Sequence, residues 1–353
     1  MRLSHPTLVV LAAASACLAL GWSQAPLWDE DEAHFATATP DAILTALTTW
    51  ATILAAEPFV AGPGRTTAAV ATRLPIGRAA AVGGLCGLAV ICKGPIGALG
   101  PGAVIAAWLG WRAMARHRAA GRGFSGAAIR AALDVLGSVR PLTLLAATLA
   151  IAAPWYVAVS LRTAGDWTAG FFLVHNVGRF LAPMEQHAGG VLFHPLTLLV
   201  GFYPWSCFLP LAVVIAGWRL WRRAEPSGRA DVLALVLVWL AVWVGGFSAA
   251  ATKLPNYVLP AYPAAALLVA GLGVAAARRA TVAGWDHARW MAVGVVSLTF
   301  GGVATAVAVF VAARHGLAQA EPAALVGLIP VGGAAACWWL ARRSPLGAVA
   351  AFT

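Results

Sequence analysis

The sequence predicts an all-α fold, a polytopic transmembrane helix bundle of about ten spans. Three observations predict it. Hydrophobic residues make up 61% of the 353 positions and charged residues only 10%, and mean hydropathy is +0.80. Apolar runs of about 20 residues recur, long enough to cross a hydrocarbon core of ~30 Å as helices. Most are apolar on every face, as lipid-facing helices are, and lack the period-2 alternation of a membrane barrel. Finally, Lys and Arg gather between the runs on alternating sides, the positive-inside pattern.

The expected spans are 6–23, 38–56, 79–93, 95–111, 141–160, 193–217, 231–251, 256–277, 289–313 and 322–341. The first also fits a signal peptide, with one Arg, an apolar stretch and small residues. No clear A-x-A site precedes the acidic residues that follow, so a retained helix is expected. The span at 38–56 is weakened by Asp41. The pair 79–93 and 95–111 is split by "CKGP" (92–95), which reads as a link between two spans or as one kinked hairpin.

With Arg2 on the cytoplasmic side, the acidic loop 27–37 falls outside. Arg65, Arg73 and Arg78 then fall inside, as does the basic loop 112–140 with Arg112, Arg116, Arg118, Arg122, Arg130 and Arg140. That loop is a solvated connection or holds an interfacial helix at 125–140. The loop 161–192 falls outside, and so does "TKLPNY" (252–257). The chain reads as one transmembrane domain over 1–353. Its alternation places Asp31, Lys93, His175 and Lys253 on a single external face. The net charge of +11 belongs to orientation-setting loops, so no nucleic-acid partner is expected. The five cysteines lie in apolar segments without metal-ligand spacing.

Four blocks can carry chemistry. Asp29, Glu30, Asp31 and Glu32 hold almost a third of the 13 acidic residues in four positions. At a membrane boundary such carboxylates act as a general base or bind a divalent cation, although a solvated loop also tolerates them. The stretch "FFLVHNVGRFLAPMEQHAGG" (171–190) brings together His175, Asn176, Arg179, Glu185 and His187. Arg179 suits a phosphate, and His175 and His187 suit metal ligation or proton transfer. An amphipathic helix lying on the membrane explains the same stretch. Lys93 in "AVICKGPIGALGP" must snorkel or pair with an anion. In "TKLPNYVLPAYPA" (252–264), Lys253 and Tyr257 anchor the chain at the interface or touch a lipid phosphate.

In order, "DEDEAHFA", "ATPDAILTALTT", "AVICKGPIGALGP", "HNVGRFLAPMEQHAGG" and "TKLPNYVLPAYPA" resemble the aminoarabinose-transferase and protein-mannosyltransferase superfamily of membrane glycosyltransferases. The resemblance covers roughly 27–57 and 79–277 and implies the GT-C fold. It implies transfer of a sugar from a polyprenyl-phosphate carrier to a lipid, glycan or protein acceptor, at the periplasmic face of the bacterial inner membrane. Asp31 and Glu32, with Phe35, match the family's acidic motif, so Asp31 is the expected catalytic carboxylate, helped by Glu32. Family members usually have Tyr where Phe35 stands and often Arg where His34 stands. His175 and Arg179 match the family's external block, whose His is linked to metal binding. Lys93 and Tyr257 match positions near the carrier phosphate, with Lys253 beside them. The resemblance leaves room for a divalent metal ion at His175 and implies no organic cofactor.

In the family, interfacial helices, a K-P-P block and further spans separate the acidic motif from "ATPDA". Here "DEDEAHFA" runs almost directly into "TATPDAIL", and no sizeable external domain follows the spans. The chain therefore resembles an internally shortened member, and two alternatives stand beside the enzyme. One is a catalytically degenerate copy. The other is a lipid-binding or transport protein, which the single broken site at Lys93 and the lack of a repeat disfavour.

Overall fold

The computed structural model describes residues 31–60, 73–119, 121, 136–183, 189–203, 205–222, 228–277, 287–316 and 321–343. The expected span at 6–23 and most of the interfacial helix at 125–140 lie outside these residues. Among the described residues every regular element is helical. The longer helices are α1 (Asp31–Ala56), α2 (Ile76–Lys93), α3 (Ile96–Ala119), α4 (Pro141–Arg162), α5 (Phe193–Gly201), α6 (Leu209–Arg222), α7 (Gly228–Ala249), α8 (Tyr262–Ala277), α9 (His287–Gly316) and α10 (Leu328–Arg343).

Among the described residues, six stretches are long and apolar enough to cross a membrane: Pro40–Phe59, Ile76–Lys93, Pro141–Arg162, Gly228–Ala249, Pro255–Val274 and Ala292–Val311. They match the expected spans at 38–56, 79–93, 141–160, 231–251, 256–277 and 289–313. Three other expected spans differ in form. The helix expected at 95–111 runs on to Ala119 and carries Arg112 and Arg116 with it. The run 193–217 is divided into α5 and α6 by a turn and the short 3₁₀ segment Trp205–Cys207. The run 322–341 opens with the 3₁₀ segment Glu321–Gly327 before α10 begins.

Helix α1 is described from Asp31 and continues through Pro40. Proline lacks the N–H for one helical hydrogen bond, so this is where α1 is weakest against bending. Below it, Thr45, Thr48 and Thr52 are buried and return their hydroxyls to the carbonyls of Asp41, Leu44 and Thr48. Each hydroxyl is thereby satisfied within its own helix.

Small residues let α4 lie directly against α2. A Cβ on Gly83 or Gly87 would strike α4. Thr148 Oγ1 donates to the Gly83 carbonyl at 3.0 Å, and Tyr156 Oη donates to the Val90 carbonyl at 2.8 Å. Close backbone approach and hydroxyl bonds hold membrane helices together where the hydrophobic effect cannot. The core between α1, α3, α7 and α8 holds Trp108, Trp239 and Trp243, all buried. Trp108 Nε1 donates to the Asp231 carbonyl at 2.8 Å, and Trp239 Nε1 to the Pro260 carbonyl at 2.9 Å. Leu142, Val200, Trp221 and Phe300 are exposed on the outside, the surface expected where lipid is the solvent.

Buried and half-buried charge collects at two ends of this bundle. One end carries Glu57 paired with Arg78, and Arg112 paired with Asp231. The other carries Asp41 paired with Lys93, together with Arg179 and Lys253. Helix rise puts ~24 Å between Asp41 and Glu57 along the first span.

Candidate active site

Helix α2 ends at Lys93, and the next residue explains how. Gly94 has φ 79°, a left-handed backbone, and its N–H bonds to the Val90 carbonyl at 2.7 Å. The chain then turns through Pro95 into α3. Gly97 lies so close to Ala89 that a Cβ there would clash with its backbone. The "CKGP" break is thus the tip of a tight α2–α3 hairpin. A Cβ on Gly94 would lie 3.0 Å from Asn176 Oδ1 and 3.0 Å from Phe171 Cζ. Only glycine combines this φ with that contact.

The residues lying on Gly94 belong to the α4–α5 connection. It contains the helical turn Asp166–Ala169, a π-helical segment Gly170–Gly178, and a last turn Arg179–Leu181. Asn176 Nδ2 donates to the Phe171 carbonyl at 2.8 Å. Phe171 and Phe172 are half-buried and pack with Tyr156 and Trp167, with Trp167 stacked on Phe171 at 5.0 Å. The expected membrane-facing helix is therefore only partly right. Val174 and Phe180 are exposed, whereas Phe171 turns inward over the Lys93 hairpin and Phe172 packs on Phe171 and Tyr156.

Lys93 finds the anion its position requires. Its ammonium donates to one carboxylate oxygen of Asp41, and the Asn256 amide donates to the other. Asp41 is 1% exposed. A buried carboxylate is tolerable only when its charge and lone pairs are matched in this way. Neither Asp41 nor Asn256 was expected among the site residues. Asp41 weakens a span by its hydropathy, yet an ionisable group inside an apolar helix marks function for Asp41 as it does for Lys93.

The Lys93 ammonium also stands 5.0 Å from the centroid of the Tyr257 ring, within cation–π range. Tyr257 is held against Phe247 at 4.8 Å and His194 at 6.3 Å between centroids. Arg179 Nη1 reaches the Tyr257 hydroxyl at 3.5 Å. Three residues expected near a phosphate, Lys93, Arg179 and Tyr257, thus converge from three different elements.

Lys253 does something else. It is 4% exposed, and its ammonium donates to the carbonyls of Phe247, Ser248 and Ala250 at 3.3, 2.6 and 2.5 Å. These carbonyls close the end of α7, where a cation is favoured and acceptors lack helical partners. All three of its donors are engaged. The same loop is tied to the Arg179 turn: Ala251 N–H donates to Phe180 O at 2.9 Å, and Thr252 N–H to Arg179 O at 3.1 Å. Thr252 Oγ1 donates to Ala182 O at 3.1 Å. Lys253 therefore steadies the two loops that carry Arg179 and Tyr257.

Asp31 and Glu32 form the first turn of α1, but their side chains lie outside the described residues, as do Glu185 and His187. On a continuous helix the ten residues from Asp31 to Asp41 rise ~15 Å. His175 is exposed. Among the described residues no group of three or more His, Cys, Asp or Glu side chains is placed to hold a metal ion. A divalent ion at His175 would need further ligands, and its neighbours Glu185 and His187 lie outside the described residues.

No family model matches the chain. It is 29% identical over 281 residues to an undecaprenyl phosphate-α-4-amino-4-deoxy-L-arabinose arabinosyl transferase of Erwinia tasmaniensis, covering 74% of this chain and 45% of that protein. A transferase of the same description from Sodalis glossinidius is 38% identical over 131 residues, covering 36% and 22% respectively. The crystal structure of ArnT from Cupriavidus metallidurans bound to undecaprenyl phosphate superposes with a TM-score of 0.58 at 19% identity. It covers 91% of this chain and 60% of the ArnT chain. The chain is similar to these arabinosyl transferases over part of their length. It has the GT-C fold of ArnT, as its sequence motifs imply. It spans less than half the length of the Erwinia transferase it matches.

Proposed function

We propose that this chain transfers a sugar from a polyprenyl-phosphate carrier to an acceptor at the periplasmic face of the inner membrane. The observation that carries the proposal is the convergence of Lys93, Arg179 and Tyr257 at one end of an apolar bundle. Two cations and a phenol suit a phosphate head, and the exposed apolar flanks of the bundle suit its lipid tail.

In the reaction, an acceptor oxygen or amine attacks the anomeric carbon of the sugar. The bond from that carbon to the phosphate oxygen breaks, with inversion. The phosphate leaves as a monoester and gains negative charge as it does so. Lys93 and Arg179 stabilise that charge, and fixed donors of this kind supply much of an enzyme's rate. The acceptor's proton passes to Asp31, with Glu32 as its helper. For that transfer the first turn of α1 bends over the site, and Pro40 is the natural point of bending. Lys253 serves the site by bracing its loops. The acceptor is a lipid, glycan or protein.

The test is transfer of labelled sugar from undecaprenyl-phosphate donors in proteoliposomes. Transfer that is lost in Arg179→Ala supports the reading. Binding of undecaprenyl phosphate without any transfer would reduce the chain to a lipid-binding protein. Unchanged transfer in Asp31→Asn would remove Asp31 as the base.

A further inference from the structure

We propose that Asp41 is a charge discriminator: its carboxylate keeps the Lys93–Arg179 site from over-binding the dianionic product, so that donor is captured and product released. The inference rests on the transferase reading above. The donor is a phosphodiester with one negative charge. The departing carrier is a monoester, which carries about −1.5 to −2 at pH 7 with a second ionisation near 6. Two cations alone would hold the more highly charged product more tightly than the donor, and turnover would stall.

The geometry supplies the correction. Asp41 is buried behind Lys93, and both its oxygens are fixed, one by Lys93 and one by Asn256. It cannot swing away when a ligand arrives. Lys93 keeps 27% of its side-chain surface exposed while Asp41 keeps 2%. The cation is therefore reachable, and the anion sits behind it as a fixed charge. The other polar groups around the site are Arg179 and exposed His175 from the α4–α5 connection, and Tyr257 and Asn256 from the turn before α8. His194 from α5 stacks on Tyr257, and Lys253 is committed to the carbonyls ending α7. Asp41 adds one negative charge to this set, whatever the sum of the rest.

The test compares undecaprenyl phosphate with its methyl diester, bound to protein in nanodiscs between about pH 5.5 and 8, spanning the second ionisation. In Asp41→Asn the affinity ratio of monoester to diester is expected to rise roughly tenfold at the alkaline end, a Coulombic effect of one charge at close range. The gain should fade toward the acid end as the monoester takes up its proton. Asp41→Glu should keep the wild-type ratio. An unchanged ratio in Asp41→Asn overturns the proposal. Loss of both ligands overturns it too, because Asp41 would then only hold Lys93 in place. If Asp41→Asn does not fold, the double variant Asp41→Asn/Lys93→Met removes the buried pair together and leaves no isolated charge. It keeps the wild-type net charge, so its ratio should match wild type, and a tenfold rise would again overturn the proposal. Wild type that binds neither lipid defeats the transferase reading and this inference together. Wild type that binds both, without the shift in Asp41→Asn, defeats the inference alone.

Discussion

Each end of the bundle buries an acid against a base, and the two pairs are built for different ends. Arg112 and Asp231 are sealed. Their side chains are 5% and 9% exposed, their bond is 3.0 Å, and Trp108 covers the guanidinium while bonding the Asp231 carbonyl. The pair fixes α3 to α7 and offers nothing to a ligand. At the other end Asp41 is equally buried, but Lys93 is partly open, with Tyr257 beneath it and Arg179 nearby. A buried ion pair is therefore not in itself a functional signal. The signal is a cation whose acid is hidden while its own face is accessible, surrounded by further donors.

The sharpest way to break this comparison is to cut the sealed pair. Asp231→Ala leaves Arg112 charged and buried without its acid, which costs about 3–5 kcal/mol. A large drop in the melting temperature in detergent micelles is expected, with the lipid-phosphate affinity of the folded fraction unchanged. If affinity fell instead while stability held, the two ends would not be functionally separate.

Arg179→Ala should do the reverse. On the proposed transferase reading, removing a preorganised donor from a developing anion lowers turnover about 10²–10³-fold. The half-buried Arg179 side chain is not part of the helix core, so thermal unfolding should move little. Measured transfer rate and melting temperature on the same preparation decide it. A loss of stability comparable to Asp231→Ala would make Arg179 a structural residue.

This division was only half legible in the sequence. Hydropathy and the positive-inside pattern exposed six of the spans, because lipid demands long apolar runs whatever their partners. Lys93, Arg179 and Tyr257 stood out because each is a polar group in or beside an apolar run. Asp41 and Asn256 did not, since which acid a buried lysine meets is set by helix packing 52 residues away along the chain. The carbonyls that Lys253 meets were hidden for a related reason. A lysine at the interface reads alike whether it faces lipid phosphate or the last carbonyls of its own helix. The break between α5 and α6 was equally hidden, because a run that is apolar throughout keeps its hydropathy across a turn.

A smaller effect is expected at the hairpin tip. Gly94 combines φ 79° with ψ −161°, a conformation nearly restricted to glycine, and a substituent there costs about 1–3 kcal/mol. Gly94→Ala should lower the melting temperature by a few degrees and also weaken undecaprenyl phosphate binding. Its Cβ would push on Asn176 and Phe171, in the segment that leads to Arg179. Loss of stability without loss of affinity would show that the segment's seat on Gly94 does not set the position of Arg179.

The smallest effect separates the two roles of Tyr257. Its ring underlies the Lys93 ammonium and stacks on His194, and its hydroxyl meets Arg179 at a long 3.5 Å. Tyr257→Phe keeps the ring and removes only the hydroxyl. A hydrogen bond of that length contributes at most about 1 kcal/mol, so a two- to fivefold loss of affinity is the rough expectation. Tyr257→Ala removes the platform as well and should cost several times more. If Tyr257→Phe proved as damaging as Arg179→Ala, the hydroxyl would have to meet the phosphate directly, and its long contact with Arg179 would mark a donor waiting for its ligand. The ratio between the Phe and Ala variants therefore measures how much of the open end's advantage over the sealed end lies in the ring and how much in the phenol.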